Sequence, residues 1–278
     1  MKFDLELGEL KLSGHSTAGV ETWFRVHPPG LAFDAGRGAL HLEGAPDLFL
    51  SHGHLDHALG IPFVISQRSL HGEGHTRVFC PAGTADDLRT FIAAAERLEA
   101  ATYDYELVAL RPGDRVPVGK DRVVEAFATA HGVPSLGYHL WQRRKSLKPE
   151  LRGLPGVELA ARRARGEALE DDSEELALSY CGDTGAQVFE LEPRIFLSHV
   201  LMIECTFAAP EHRELGRRFQ HVHLDDLAER QDRFENRAVV LHHVSRRYRP
   251  DDFAAEVHRR LPRLAGRVFI FGRAEGTP

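Results

Sequence analysis

The chain has 278 residues, 42% of them hydrophobic and 27% charged, with a formal net charge of −6. That is an ordinary globular composition with enough apolar material for a sizeable core, and its charge excludes a protein that coats nucleic acid over its whole surface. No apolar run approaches the roughly 18 residues of a membrane-spanning helix, and three unclustered cysteines (Cys80, Cys181 and Cys205) point to a reducing cytosol without a disulfide framework.

The opening Met1-Lys2-Phe3-Asp4-Leu5-Glu6 alternates as a strand does and holds no signal-peptide core. Leu10 and Leu12 continue the alternation, and 14–19 reads as a loop. Residues 22–26 and 31–33 read as strands joined through Pro28-Pro29-Gly30. Asp34 ends the second strand. It reads first as a turn residue, and alternatively as a partner that supports a metal site from behind.

The most informative stretch is 47–62. Leu48, Phe49 and Leu50 read as a buried strand, and Ser51-His52-Gly53-His54-Leu55-Asp56-His57 then packs four candidate metal ligands into six positions. Neutral imidazole and carboxylate are ligands that zinc and neighbouring metals accept. Gly53 lets the backbone turn between two histidines. His52 and His54 can face one metal while Asp56 and His57, one turn on, face a second. Asp56 also falls near a helix start, where a carboxylate is a favourable cap. A lone His-x-His is more often surface than site; the full string after an apolar strand makes metal the expectation.

Residues 59–70 read as a helix and 77–80 as a short strand. A long helix is expected over 84–101, with Leu88, Phe91, Ile92, Ala95 and Leu98 on one face and Thr84 as N-cap. Strands are expected at 106–110, 116–118 and 122–129. The last delivers His131, which beside Gly132 and Pro134 suits a ligand on a rigid loop. The segment 141–175 differs in character. It carries Arg143, Arg144, Lys145, Lys148 and Arg152, then Arg162, Arg163 and Arg165, then an acidic run over 170–175. It reads either as a solvated excursion or as a mobile, basic element that grips substrate.

Residues 176–181 read as a strand that ends in Gly182-Asp183-Thr184-Gly185, another acidic ligand candidate. The apolar strand 201–207 carries Glu204, a buried carboxylate that requires a partner; His221 could supply one. A helix over 224–234 and a strand over 238–241 lead to His242-His243-Val244-Ser245-Arg246-Arg247-Tyr248, and a helix over 251–261 and a strand over 268–271 close the chain. No repeat or linker is visible, so one domain is expected over 1–278, with a short charged insertion at about 142–175.

Four stretches in this order resemble the successive motifs of ribonuclease Z, the metallo-β-lactamase-fold endonuclease family that trims the 3′ trailer from precursor tRNA. They are the 52–57 string, His131 with Pro134-Ser135-Leu136-Gly137-Tyr138, Gly182-Asp183-Thr184, and His243-Val244-Ser245-Arg246-Arg247-Tyr248. Glu204-Cys205-Thr206-Phe207 is similar to the family's Glu-x-Thr-Phe element, and His221 matches its following histidine. The resemblance covers essentially the whole chain. It is nearest the short plant forms, through Gly19-Val20-Glu21-Thr22 and Leu264-Ala265-Gly266-Arg267-Val268-Phe269.

The resemblance implies an α/β fold, an αββα sandwich of two mixed sheets with helices on the outer faces and metals at one edge. It implies two zinc ions, with manganese or iron as substitutes. His52, His54 and His131 would hold the first, Asp56, His57 and His243 the second, and Asp183 would bridge them. His242 is then a spectator. Asp56 would orient the attacking water and accept its proton, and His221, held by Glu204, would protonate the leaving oxygen. Ser135, Arg246, Arg143, Arg144, Lys145 and Lys148 are the expected substrate contacts. The implied protein is a cytoplasmic homodimer acting on precursor tRNA.

Two departures keep other readings open. Where many bacterial members carry Pro-x-Lys-x-Arg-Asn, this chain reads Ser13-Gly14-His15-Ser16-Thr17-Ala18. Where they carry a long Gly/Pro-rich arm, it has the shorter 141–175. The alternatives are a zinc phosphodiesterase acting on small or non-tRNA esters, a thioesterase or lactamase of the same fold, and a non-catalytic RNA-binding protein.

Overall fold

Alternating apolar residues divide the chain into two successive sets of seven strands. In this computed structural model, which describes residues 3–271, the first set is β1 (Phe3–Leu7), β2 (Leu10–Thr17), β3 (Glu21–His27), β4 (Leu31–Phe33), β5 (Asp47–Phe49), β6 (Thr76–Pro81) and β7 (Tyr105–Leu110). These form one sheet in that order. The second set is β8 (Arg115–Val118), β9 (Arg122–Ala128), β10 (Leu136–Leu147), β11 (Glu170–Tyr180), β12 (Val200–Glu204), β13 (Ala238–His242) and β14 (Val268–Ile270). It forms the other sheet, again in chain order. Met1 and Lys2, read as part of the opening strand, lie outside the described residues.

Each sheet changes character midway. Strands β1 to β4 and β8 to β11 pair antiparallel. From β4 to β7 and from β11 to β14 the pairing is parallel. The two halves therefore share one strand pattern, although the sequence displays no repeat.

Side-chain alternation fills three apolar layers. Phe33, Phe49, Tyr138, Tyr180 and Val240 point between the sheets. Leu48 and Leu50, flanking Phe49, point outward. They meet Ile61, Val64 and Ile65 of α2 (Ile61–His71) and Leu88 and Ile92 of α3 (Ala85–Glu99); the single-turn α1 (Leu55–Ala58) precedes α2. On the second sheet Val239 and Leu241, flanking Val240, face outward. They pack with α5 (Val188–Leu191), α7 (Leu224–Ala228) and α8 (Pro250–Arg260), and α6 (Arg213–Phe219) precedes α7. This is the expected αββα sandwich. Phe33 stacks on Tyr138 and Tyr180 at centroid distances of 5.9 and 4.8 Å, and truncating it to Ala would cost about 3–5 kcal/mol.

Four expectations need correction. The small polar run 14–19 is mostly strand: Gly14 to Thr17 pair one-to-one with Phe24 to Glu21 of β3. A Cβ at Gly14 would lie 2.4 Å from the Trp23 carbonyl oxygen, so glycine there permits close strand approach rather than marking a loop. Thr84 makes no side-chain capping bond; Asp86 and Asp87 supply first-turn negative charge to α3 instead. The helix expected over 224–234 stops at Ala228, and a separate 3-10 turn follows at Gln231–Arg233.

The fourth concerns 142–175. It is an antiparallel ribbon of the outer parts of β10 and β11, with α4 (Gly156–Ala164) near its tip. The basic run lies on a strand, and the cross-strand acidic run answers it. Arg143 meets Glu174 at 3.4 Å, Arg144 meets Glu175 at 2.8 Å and Glu9 at 3.2 Å, and Lys145 meets Asp172 at 3.7 Å. The segment holds eight basic and eight acidic residues, so it is not a free basic patch. Among the described residues, no helix is long and apolar enough to cross a membrane.

Candidate metal centre

The parallel strands of both sheets end at one edge, where ligands of open α/β sheets generally bind. β4 delivers Asp34, and β5 delivers the 52–57 string. β11 leads to Asp183, β12 ends on Glu204, and β13 leads to His243. The loop after β9 adds His131. Ser135 pairs through its backbone with His52 and so ties that loop to the string.

Two donor groups result. His52, His54, His131 and Asp183 bring one ligand atom each within 4.8 Å of one another, and so do Asp56, His57 and His243. In the first, His52 Nε2 and His131 Nε2 lie 3.0 and 3.2 Å from His54 Nδ1. Donors around a tetrahedral ion with bonds of about 2.0–2.1 Å are spaced by roughly 3.3 Å. In the second, His243 Nε2 lies 3.5 Å from Asp56 Oδ2, and His57 Nε2 lies 3.7 Å from it. Asp183 Oδ2 stands between the groups, 3.8 Å from His52 Nε2, 3.5 Å from His57 Nε2 and 3.2 Å from His243 Nε2.

Four of the five imidazoles are aimed by a bond at the other nitrogen. His57 Nδ1 sits 2.7 Å from Asp34 Oδ2, His52 Nδ1 3.0 Å from Ser51 Oγ, His243 Nδ1 3.0 Å from Thr206 Oγ1, and His131 Nδ1 3.3 Å from the Gln220 carbonyl. These partners turn Nε2 inward as a free donor. Asp34 is the hub, also accepting from the Ser51 backbone at 2.6 Å, the Ser51 hydroxyl at 2.8 Å and the Tyr180 hydroxyl at 2.5 Å. The turn reading of Asp34 gives way to the supporting role. Asp34 and His243 both take left-handed backbone, with φ of 55° and 57°, a strained conformation that clusters at functional sites. Gly182, at φ +59°, swings Asp183 off β11 in a space already bounded by Ser51.

Glu204 and His221 are brought together as expected: His221 Nδ1 is 2.7 Å from Glu204 Oε1. That oxygen also accepts from the Thr184 backbone at 2.9 Å, and Oε2 accepts from the Thr206 hydroxyl at 2.5 Å. Burial opposes charge on His221, but Glu204 overrides it and pushes the imidazole up to about 9. Burial would likewise raise Asp183, yet His243 and His57 hold it well below the ordinary carboxylate range. His242 is fully buried, which pushes it down to about 3, and it packs against Phe24 and Tyr180 away from the ligand groups.

Among the described residues, His57 Nε2, His243 Nε2 and Asp183 Oδ1 are buried and make no hydrogen bond. Three lone-pair donors sealed at one place are costly without a cation to meet them, so the cluster fits a divalent metal. Arg246 is exposed beside Ser245 and Ala18 at a small cleft next to His243. Arg143, Arg144, Lys145 and Lys148 are not brought to the site. β10 starts beside it at Leu136 and carries Arg143 roughly 23 Å along the strand at about 3.3 Å per residue. Reading the residues singly missed Ser51, Thr206 and Ser16, whose hydroxyl accepts from the His243 backbone at 2.9 Å. Ser51 adjoins the ligand string and Thr206 the Glu204 element, whereas Ser16, 227 positions from His243, carried no signal of this kind.

Residues 39–244 match the family described as a beta-lactamase superfamily domain. The chain is 29% identical to tRNase Z TRZ1 of Arabidopsis thaliana, over 94% of this chain and 92% of that one. It is 31% identical to a nuclear ribonuclease Z of Triticum aestivum, over 56% of this chain and 88% of that one. Among solved structures it superposes on the short form of human tRNase Z with a TM-score of 0.60 and 17% identity, covering 85% of this chain and 93% of that one.

Proposed function

The chain belongs to the ribonuclease Z family of the β-lactamase superfamily, and from that premise we propose that it is a two-zinc endoribonuclease that removes the 3′ trailer from precursor tRNA. The observation that carries this reading is the pairing of two donor groups with a buried carboxylate–histidine couple on their rim.

His52, His54, His131 and Asp183 would hold one ion, and Asp56, His57, His243 and Asp183 the other. Bound there, zinc supplies Lewis-acid stabilisation of phosphate oxygens and water ionisable near neutral pH; manganese or iron could serve in its place. Asp56 would orient the attacking water and accept its proton on the carboxylate oxygen that does not ligate the ion. His221, with Nδ1 fixed on Glu204, offers Nε2 as the acid for the departing 3′ oxygen, a role worth about 10²–10⁴-fold. A thiolate departs without such an acid, so the couple favours a phosphodiester over a thioester. Ser135 and Arg246, flanking His52 and His243, contact the substrate backbone.

A homodimer in the cytoplasm fits the family. The exposed Leu55, Leu59 and Phe63, at 65, 43 and 42% accessibility, offer it an apolar face. A second reading, a phosphodiesterase acting on small or non-tRNA esters, is favoured by the charge-paired ribbon. Cleavage assays on a precursor tRNA and on a generic phosphodiester, with metal analysis of the same sample, separate the two. Cleavage of the small ester alone would replace tRNA as the substrate, and activity with neither would remove the enzyme reading.

A further inference from the structure

The far end of the second sheet also carries polar groups, and no role at the metal edge accounts for them. A cavity of about 380 Å³ opens there, between the β1–β2 turn and the starting ends of β12 and β13. Leu7, Leu10, Val200, Ala238 and Phe269 give it apolar walls. Arg122 and Gln142 are its buried polar lining, at 8 and 6% accessibility.

Arg122 is the unusual member. Its Nε is sealed without a partner, and among the described residues its guanidinium has no hydrogen bond or ion pair. Gln142 sits directly opposite on β10, yet the two do not bond. The Gln142 amide nitrogen is committed to oxygens of Asp121 at 2.8 and 3.2 Å and to the Arg143 carbonyl at 3.0 Å. Those acceptors fix the amide orientation and leave Oε1 buried without a partner. Asp121 and Glu9 attract the guanidinium through space without bonding it, so a buried cation that makes no hydrogen bond stands beside a buried acceptor that makes none, which is costly.

Glu6, Glu9 and Glu175 also line the cavity, and each is ion-paired with a cation other than Arg122. Glu9 pairs with Arg144, Glu175 with Arg144 and His199, and Glu6 with Lys11. Arg237 adds a further cation to the lining. The volume is within the roughly 300–1,000 Å³ of small-molecule sites.

We propose that this cavity is a second ligand site, for a small organic anion that carries a carboxylate and an adjacent hydrogen-bond donor on an apolar body. The carboxylate meets Arg122, the donor meets Gln142 Oε1, and the body lies against Leu7, Leu10 and Phe269. The site and the metal edge occupy opposite ends of the same strands. Arg122 opens β9, which leads to His131, and Ala238 opens β13, which leads to His243.

Indole-2-carboxylate, which has an N–H beside its carboxylate, is a suitable probe for calorimetric titration of the full chain. Saturable binding of one probe per chain is expected, at least tenfold tighter than indole-2-carboxamide, which keeps the shape without the charge. Arg122→Met should weaken binding at least tenfold and Gln142→Leu severalfold, both with unchanged metal content and precursor-tRNA cleavage. Without probe, Arg122→Met should melt no lower than the parent, because it removes a buried charge that makes no hydrogen bond. No saturable binding, equal binding of acid and amide, or binding retained by Arg122→Met (as for a carboxylate caught at the metals) would each overturn the proposal. A lower melting point for Arg122→Met would do so too, by assigning Arg122 a structural role.

Discussion

His221 Nδ1 stands 2.7 Å from Oε1 of Glu204, a carboxylate with no exposed surface. The other oxygen of that carboxylate accepts from Thr206, whose hydroxyl also meets His243 Nδ1 at 3.0 Å. The proposed acid and one proposed metal ligand are thus positioned through a single threonine.

His221→Ala is expected to slow turnover by about two to four decades with metal content intact, since it removes an acid and no assigned ligand. Glu204→Gln should lower turnover less. Asp56→Ala should abolish it. His221 also lies within ligand distance of Asp183 and His243. Elemental analysis of His221→Ala decides between the roles: loss of metal along with activity would make it a ligand.

Chelation should remove activity and zinc should restore it, with close to two ions per chain in unchelated protein. A fully active, metal-free preparation would contradict the assignment of all seven ligands.

Asp34→Asn keeps the shape of the hub but weakens its hold on His57. Supporting partners of this kind are worth about 10–100-fold in metal affinity. Competition with a chromogenic chelator should show a loss of that size, and unchanged affinity would return Asp34 to a purely structural role.

The ribbon and the site loop should respond differently to salt. Arg143, Arg144 and Lys145 are held by carboxylates, so replacing them together with Lys148 by Ala should leave the log–log salt slope of precursor-tRNA affinity unchanged. Arg246 has no carboxylate partner among the described residues, and Arg246→Ala should lower the slope by about 0.7–0.9. A fall in slope for the ribbon variant would mean that its cations exchange carboxylates for phosphates.

Acid should destabilise the fold partly through His139 and Glu192. Burial lowers His139 below its ordinary 6.5. Burial would raise Glu192, but Arg194 and His139 hold its carboxyl at about 2. Both depressions act in one direction. The stability they contribute is complete above the unfolded values and is lost as pH falls, from about 6.5 downward for His139 and from about 4.3 toward 2 for Glu192. The melting temperature should therefore drop between pH 7 and 4, and His139→Gln should flatten the upper part of that drop. An identical profile for the variant would remove His139 as a contributor.

The sequence by itself determined the strand-ending ligand stretches, because a metal site concentrates rare residue types at fixed spacing. His52, His54, Asp56 and His57 are legible within six positions, and the apolar alternation around Phe49 and Val240 places them at strand ends. Only the tertiary structure decided what depends on neighbours distant in the chain. Asp34 looks like any turn aspartate until β4 and β5 bring it under His57. Gly14 looks like a loop residue until Trp23 crosses it, and the basic run looks like a nucleic-acid grip until β11 lays carboxylates beside it. Arg122 and Gln142 carry no sequence signal at all. Their exposure, pairing and shared cavity are set by the register of β9 against β10 and by the closing β1–β2 turn, so their chemistry appears only once the sheets are assembled.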